Sequence, residues 1–162
     1  MTLNLKELLS GAKSRLPFEY VIDLSELDFF GEHPFKTGVH ITGEVTMLAG
    51  IPILNFSLQA ELLTLCASCG KPARRRFTLS EERVLSDKPT DAENDEVALY
   101  HGDLLELDTV VTDAVVLGVD IRILCKDDCK GLCPICGADL NEGDCGCKPE
   151  TDPRLAKLKE LL

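Results

Sequence analysis

The sequence predicts an α+β fold: an antiparallel β-meander packed on one main helix, with a C-terminal cysteine-rich module and a short terminal helix. Three observations predict it. Apolar and polar side chains alternate along most of residues 37–85, the signature of half-buried strands. Between Asp103 and Gly118 the apolar spacing becomes helical. Six of the eight cysteines fall between Cys125 and Cys147. With 162 residues, 44% of them hydrophobic, the chain can bury a real core in one domain. We expect a core over residues 1–124, carrying a CxxC knuckle at 66–69, and a cysteine-rich module with the C-terminal helix over 125–162.

In chain order, Leu3–Leu9 has the spacing of a short amphipathic helix, and Phe18–Leu24 reads as an edge strand. Gly31-Glu32-His33-Pro34 marks a turn. In Thr37–Leu48, residues Val39, Ile41, Val45 and Met47 share one face and His40, Thr42, Glu44 and Thr46 the other. Ala49-Gly50-Ile51-Pro52 turns the chain, and Ile53–Leu65 alternates again, which predicts an antiparallel hairpin. Ala73–Leu85 predicts a third strand, so Cys66 and Cys69 sit in the turn between two strands. Asp87–Glu96 is acidic and nearly devoid of apolar residues, as a solvated loop would be. Val97–Tyr100 is a short strand. Asp103 and Glu106 have capping-box spacing ahead of Leu104, Leu107, Val111, Ala114 and Val115, which predicts a helix ending at Gly118. Val119–Leu124 reads as a strand delivering Cys125. Asp152 and Pro153 suit the cap and first position of a last helix striped by Leu155, Leu158, Leu161 and Leu162.

The net charge of −11 argues against non-specific binding to nucleic acid, which depends on neutralising phosphates. MTLNLKELLSGAKSRLPF has no apolar core of a signal peptide, and no run approaches 18 apolar residues. The expectation is a cytoplasmic protein, without a membrane partner, whose thiols stay reduced.

In that setting, Cys66/Cys69, Cys125/Cys129, Cys133/Cys136 and Cys145/Cys147 form four close pairs, the pattern of structural zinc sites built from knuckles. A disulfide framework and an iron–sulfur cluster are the alternatives. Of the three ways to combine the pairs, we favour Cys66, Cys69, Cys125 and Cys129 as one zinc site and Cys133, Cys136, Cys145 and Cys147 as the other. The second closes a loop of only about 15 residues, at small entropic cost. The first ties the strand turn to the segment after the helix. Four cysteines leave zinc no open position, so the expected role is structural. His33, His40 and His101 are scattered and form no recognisable catalytic arrangement, and no phosphate loop or small-molecule site is legible.

One basic cluster stands out: Lys71, Arg74, Arg75 and Arg76 follow the first knuckle. It could contact RNA phosphates, or pair with acidic neighbours and offset thiolate charge. Few aromatics and no tryptophan argue against base stacking.

CASCGK, CKDDCKGLCPICGADLN, CGC and DPRLAKLKELL, in that order, resemble the bacterial large ribosomal RNA subunit accumulation protein family, long catalogued as a domain of unknown function. The resemblance covers the chain from about Thr37 onward. It implies a cytoplasmic, non-enzymatic factor needed for normal 23S ribosomal RNA levels in large-subunit biogenesis. It also implies that Cys66, Cys69, Cys125 and Cys129 are the family's core site. Some members lack counterparts of Cys133, Cys136, Cys145 and Cys147, which makes the second site an elaboration. The expected partner is a ribosomal RNA precursor, or a ribosome-assembly or RNA-processing protein; an adaptor that never touches RNA and an iron–sulfur redox sensor are the other readings.

Overall fold

The alternating stretches pair into a five-stranded sheet in the computed structural model, which describes residues 1–29, 31–88, 94 and 96–147. The order of elements is β1 (Thr2–Asn4), α1 (Lys6–Leu9), β2 (Arg15–Ile22), β3 (Val39–Leu48), β4 (Ile51–Leu65), β5 (Pro72–Ser86), β6 (Val97–Leu99), β7 (Leu104–Glu106) and α2 (Leu107–Gly118). In the sheet the strands lie in the order β2-β3-β4-β5-β6. The first four meander antiparallel, and β6 joins β5 in parallel. β1 and β7 make a separate two-stranded ribbon.

Register follows the pattern read from the sequence. Val45 faces Leu54 and Ile41 faces Leu58, so the apolar sets of β3 and β4 fall on one side. Val39, Ile41, Val45, Leu54 and Leu58 are all buried there. Gly43 sits among them because the space is taken: a Cβ would stand 2.5 Å from the Asn55 carbonyl and 2.6 Å from the Phe18 ring. Phe35, wholly buried, meets Phe29 and Phe77 edge-on. α2 closes this face with Leu107, Val111, Ala114 and Val115, all buried. The architecture is therefore mostly antiparallel β with few helices, and α2 is a twelve-residue element rather than a dominant one.

Four expectations change. Leu3 belongs to a strand, because β1 pairs with β7, and only Lys6–Leu9 is helical. The second strand runs from Arg15, ahead of Phe18, to Ile22. The helix starts at Leu107, not Asp103: Leu104–Glu106 is claimed by pairing with β1, and Glu106 occupies the N-cap with no side-chain cap bond. Val119–Leu124 forms no strand; Ala67 N–H donates to the Ile123 carbonyl (2.9 Å), and side-chain bonds from Arg75 to the Leu124 carbonyl and from Arg122 to Ser68 hold the segment in place of a ladder. The expected helix from Asp152 to Leu162 lies outside the described residues, as does most of the acidic stretch after Lys88. No helix among the described residues is long and apolar enough to cross a membrane.

Candidate metal centres

Two identical turns start the two sites. At the end of β4, Cys66 N–H donates to the Lys71 carbonyl (2.8 Å) and Gly70 N–H donates back to the Cys66 carbonyl (2.9 Å). Cys133 N–H donates to the Ala138 carbonyl (2.8 Å), and Gly137 N–H to the Cys133 carbonyl (2.9 Å). Gly70 and Gly137 hold φ of 69° and 74°, left-handed values that suit glycine. CASCGK and CPICGA thus fold as the same knuckle, aiming both sulfurs of each pair inward.

The structure gathers the cysteines into two quartets: Cys66, Cys69, Cys125 and Cys129, and Cys133, Cys136, Cys145 and Cys147. Within each quartet all sulfurs lie within 4.8 Å of one another. Cys66 Sγ is 3.7 Å from Cys129 Sγ, and Cys69 Sγ is 3.6 Å from Cys125 Sγ. A tetrahedron of sulfurs about 2.3 Å from a central zinc ion has edges of about 3.8 Å, so this donor set fits that ion. A disulfide needs about 2.05 Å, and all eight cysteines are free. Cys66 and Cys69 are buried and Cys125 and Cys129 partly so, whereas in the second quartet Cys136 is exposed.

The thiols also differ in how readily they ionise. Burial pushes the Cys66 thiol up, but hydrogen bonds from the backbones of Cys125, Ser68 and Cys69 bring it down to about 6. Burial and the neighbouring Cys69 and Cys129 push Cys125 up to about 12. In the second quartet, backbone hydrogen bonds at Cys136 and Ile135 bring Cys133 down to about 6, while Cys136 and Cys145 push Cys147 up to about 12. Cys66 ionises readily while Cys69 and Cys125 resist ionising beside it, and in the second quartet Cys133 does so while Cys145 and Cys147 resist. A divalent cation at the centre removes that conflict.

Around the quartets lie residues that spacing did not mark. Asn141 donates from Nδ2 to Cys129 Sγ (3.6 Å) and to Asp139 Oδ1 (2.7 Å), and its Oδ1 accepts from Lys130 N–H (3.0 Å). Leu132 N–H donates to the Ser68 carbonyl (3.2 Å), inside the first knuckle. In the sequence, Asp139 and Asn141 look like ordinary turn residues, and nothing in their spacing could have flagged them.

The basic cluster divides. Lys71 pairs with Asp139 (2.6 Å) and Glu142 (2.9 Å) beyond the second knuckle. Arg75 points to the α2 side, where it donates to the Leu124 carbonyl (2.8 Å) and to Asp127 (2.6 Å). Arg74 lies on the opposite face of β5 and grips Glu61 with both guanidinium branches. Arg76, directly across from Glu61 in the register, is exposed. The structure therefore does not bring the four together as one patch.

All eight cysteines and both knuckles lie within residues 54–162, which match the family described as large ribosomal RNA subunit accumulation protein YceD. The chain belongs to the YceD family. The family match begins at Leu54, later than Thr37, so it takes in β4, β5, α2 and both quartets but omits β2 and β3. Uncharacterized proteins of Mycobacterium tuberculosis and Mycobacterium bovis are each 38% identical over 101 residues, covering 60% of this chain and 49% of theirs. A chloroplastic YCED homolog 1 of Zea mays, named for large ribosomal RNA subunit accumulation, is 24% identical over 168 residues, covering 84% of this chain and 57% of its own. The chain spans about half the length of the curated relatives it matches. No solved structure matches.

Proposed function

We propose that this chain is a non-catalytic, cytoplasmic factor for 23S ribosomal RNA accumulation and large-subunit biogenesis, built on two structural zinc ions. The observation that carries the reading is the closure of both quartets. Four thiols converge on each centre, so a bound ion has no free position for water or substrate. Family membership supplies the process. The zinc would fix surfaces: the first quartet locks the β4–β5 turn to the segment after α2, and residues 125–162 act as a module on the 1–124 core.

The RNA-contact hypothesis narrows to the outer face of β5. Arg74 and Arg76 point there, whereas Lys71 and Arg75 are engaged as ties to the cysteine segments. The test replaces the chromosomal copy with an Arg74→Glu/Arg76→Glu variant and measures 23S ribosomal RNA. A fall, with zinc content and melting midpoint unchanged, supports RNA contact; wild-type levels sink it.

A second reading, an adaptor that recruits a ribosome-assembly or RNA-processing protein without touching RNA, gains from the same observation. Three of the four basic side chains already have acidic partners, and the protein's charge is −11. Crosslinking in cells separates the readings, through RNA adducts in the first and protein adducts alone in the second. Purified protein that is colourless with about two zinc ions per chain removes the iron–sulfur alternative; visible absorption revives it.

A further inference from the structure

The two quartets share more than a stretch of sequence. Asn141 belongs to the loop between Cys136 and Cys145, both ligands of the second quartet. Yet its carboxamide nitrogen donates to Cys129 of the first (3.6 Å). Both polar atoms of the carboxamide are engaged: one N–H reaches the sulfur, the other reaches Asp139, and the oxygen accepts from Lys130 N–H. Reversing the amide would put its oxygen against the Asp139 carboxylate and its nitrogen against the Lys130 N–H, so the network fixes which end meets the sulfur.

Three further ties run the same way. Asp139, in the same loop and only 12% exposed, pairs with Lys71, two residues beyond Cys69. Glu142 pairs with the same ammonium. On the other side, Leu132, next to Cys133, donates its N–H to Ser68 inside the first knuckle. The first quartet is therefore braced by the very loop that the second quartet closes.

We propose that Asn141 is a positioning residue for the first quartet, and that through it and the Lys71–Asp139 pair the two quartets bind metal cooperatively. The proposal rests on the reading of both quartets as metal sites. A metal in the second quartet fixes the 136–145 loop and with it the N–H···S bond to Cys129. That bond stabilises the thiolate and orients the side chain, the usual role of outer-shell hydrogen bonds at metal sites. Coupling of this kind is reciprocal, so a metal in the first quartet strengthens the second by the same factor.

Cobalt(II) titration of the full chain tests it, with chelator competition for affinity and the thiolate-to-cobalt absorption band as a probe of each centre. Two variants are used. Cys133→Ser/Cys136→Ser opens the second quartet and leaves the first intact. Asn141→Ala keeps every cysteine. The expected result is a first quartet weakened about tenfold or more in the double-serine variant. Asn141→Ala should lower the two-ion affinity by a similar factor in the full chain, shift the band of the first centre, and add less than about twofold to the double-serine variant. Equal affinity of the first quartet with and without the second overturns the coupling, as do unchanged affinity and spectrum in Asn141→Ala. A chain that takes up no cobalt, or takes it up without the thiolate band, overturns the metal reading itself.

Discussion

Gly131 rests directly on Ser68. A Cβ placed on Gly131 would stand 2.9 Å from the Ser68 carbonyl oxygen, and its φ of 72° is one that other residues adopt at a cost. The contact brings the start of the second knuckle against the middle of the first, where Leu132 N–H donates to the same Ser68 carbonyl.

Gly131→Ala should therefore destabilise the junction by about 2 kcal/mol or more, from left-handed backbone strain plus the clash with a backbone oxygen. Urea unfolding of the zinc-loaded protein measures it. A loss under about 0.5 kcal/mol would show that the two knuckles can part without consequence.

The quartets should differ in what they hold up. Cys66→Ser removes a thiol from the quartet that joins β4 to the segment after α2, and, with zinc bound there as proposed, should lower the melting midpoint by roughly 10 °C or more, because metal binding and folding are linked. Cys145→Ser opens the local loop, reaches the first quartet only through the Asn141 and Lys71 ties, and should cost less. Paired calorimetric scans with zinc analysis show the contrast; equal losses would refute the division of labour.

Arg75 and Arg76, adjacent in sequence, should behave oppositely. Arg75→Ala breaks the bonds to Leu124 and Asp127, and should cost about 1–2 kcal/mol and loosen the first quartet. Arg76→Gln, on the exposed outer face of β5 and without a second carboxylate opposite Glu61, should leave zinc affinity and stability near wild type. Chelator-challenge kinetics on the two variants distinguish them, and faster zinc loss from Arg76→Gln would contradict the assignment.

Alkaline pH should weaken the fold through Tyr20. Burial raises its phenol far above the usual value, and the charge of nearby Asp108 adds to this. An acid whose folded value is raised contributes stability fully below its unfolded value, about 10, and loses it as pH rises past that point. Denaturation at pH values on either side of about 10 should show a fall in stability that Tyr20→Phe reduces. An identical fall in the variant would assign the effect to other groups.

The sheet was legible because alternation is a property of single strands. Val39, Ile41 and Val45 had to share a face whatever they paired with. The quartets were legible because knuckle spacing and short-loop entropy act within the chain. What the residues could not announce was competition between distant segments. Leu104–Glu106 carries a fair helix start, but β1, a hundred residues away, claims it as a strand. Val119–Leu124 has strand composition but meets no open edge. Lys71 and Arg75 looked like one patch with Arg74 and Arg76 because sequence hides the partners, Asp139 and Asp127, that draw them apart.

The first quartet draws its sulfurs from both ends of a long excursion of chain, which leaves at Cys69 and returns at Cys125 after building β5, β6, β7 and α2. With a metal in place it is a clasp on a ring. A single peptide-bond cut between β5 and β6 would open the ring but leave the clasp shut, so the two pieces would travel as one particle. The β1–β7 and β5–β6 pairings and the packing of α2 would hold them as well, so removing the ion would loosen the joint rather than part it. Continuity of the backbone and unity of the particle are thus separately secured, the second by a metal and by noncovalent contacts together.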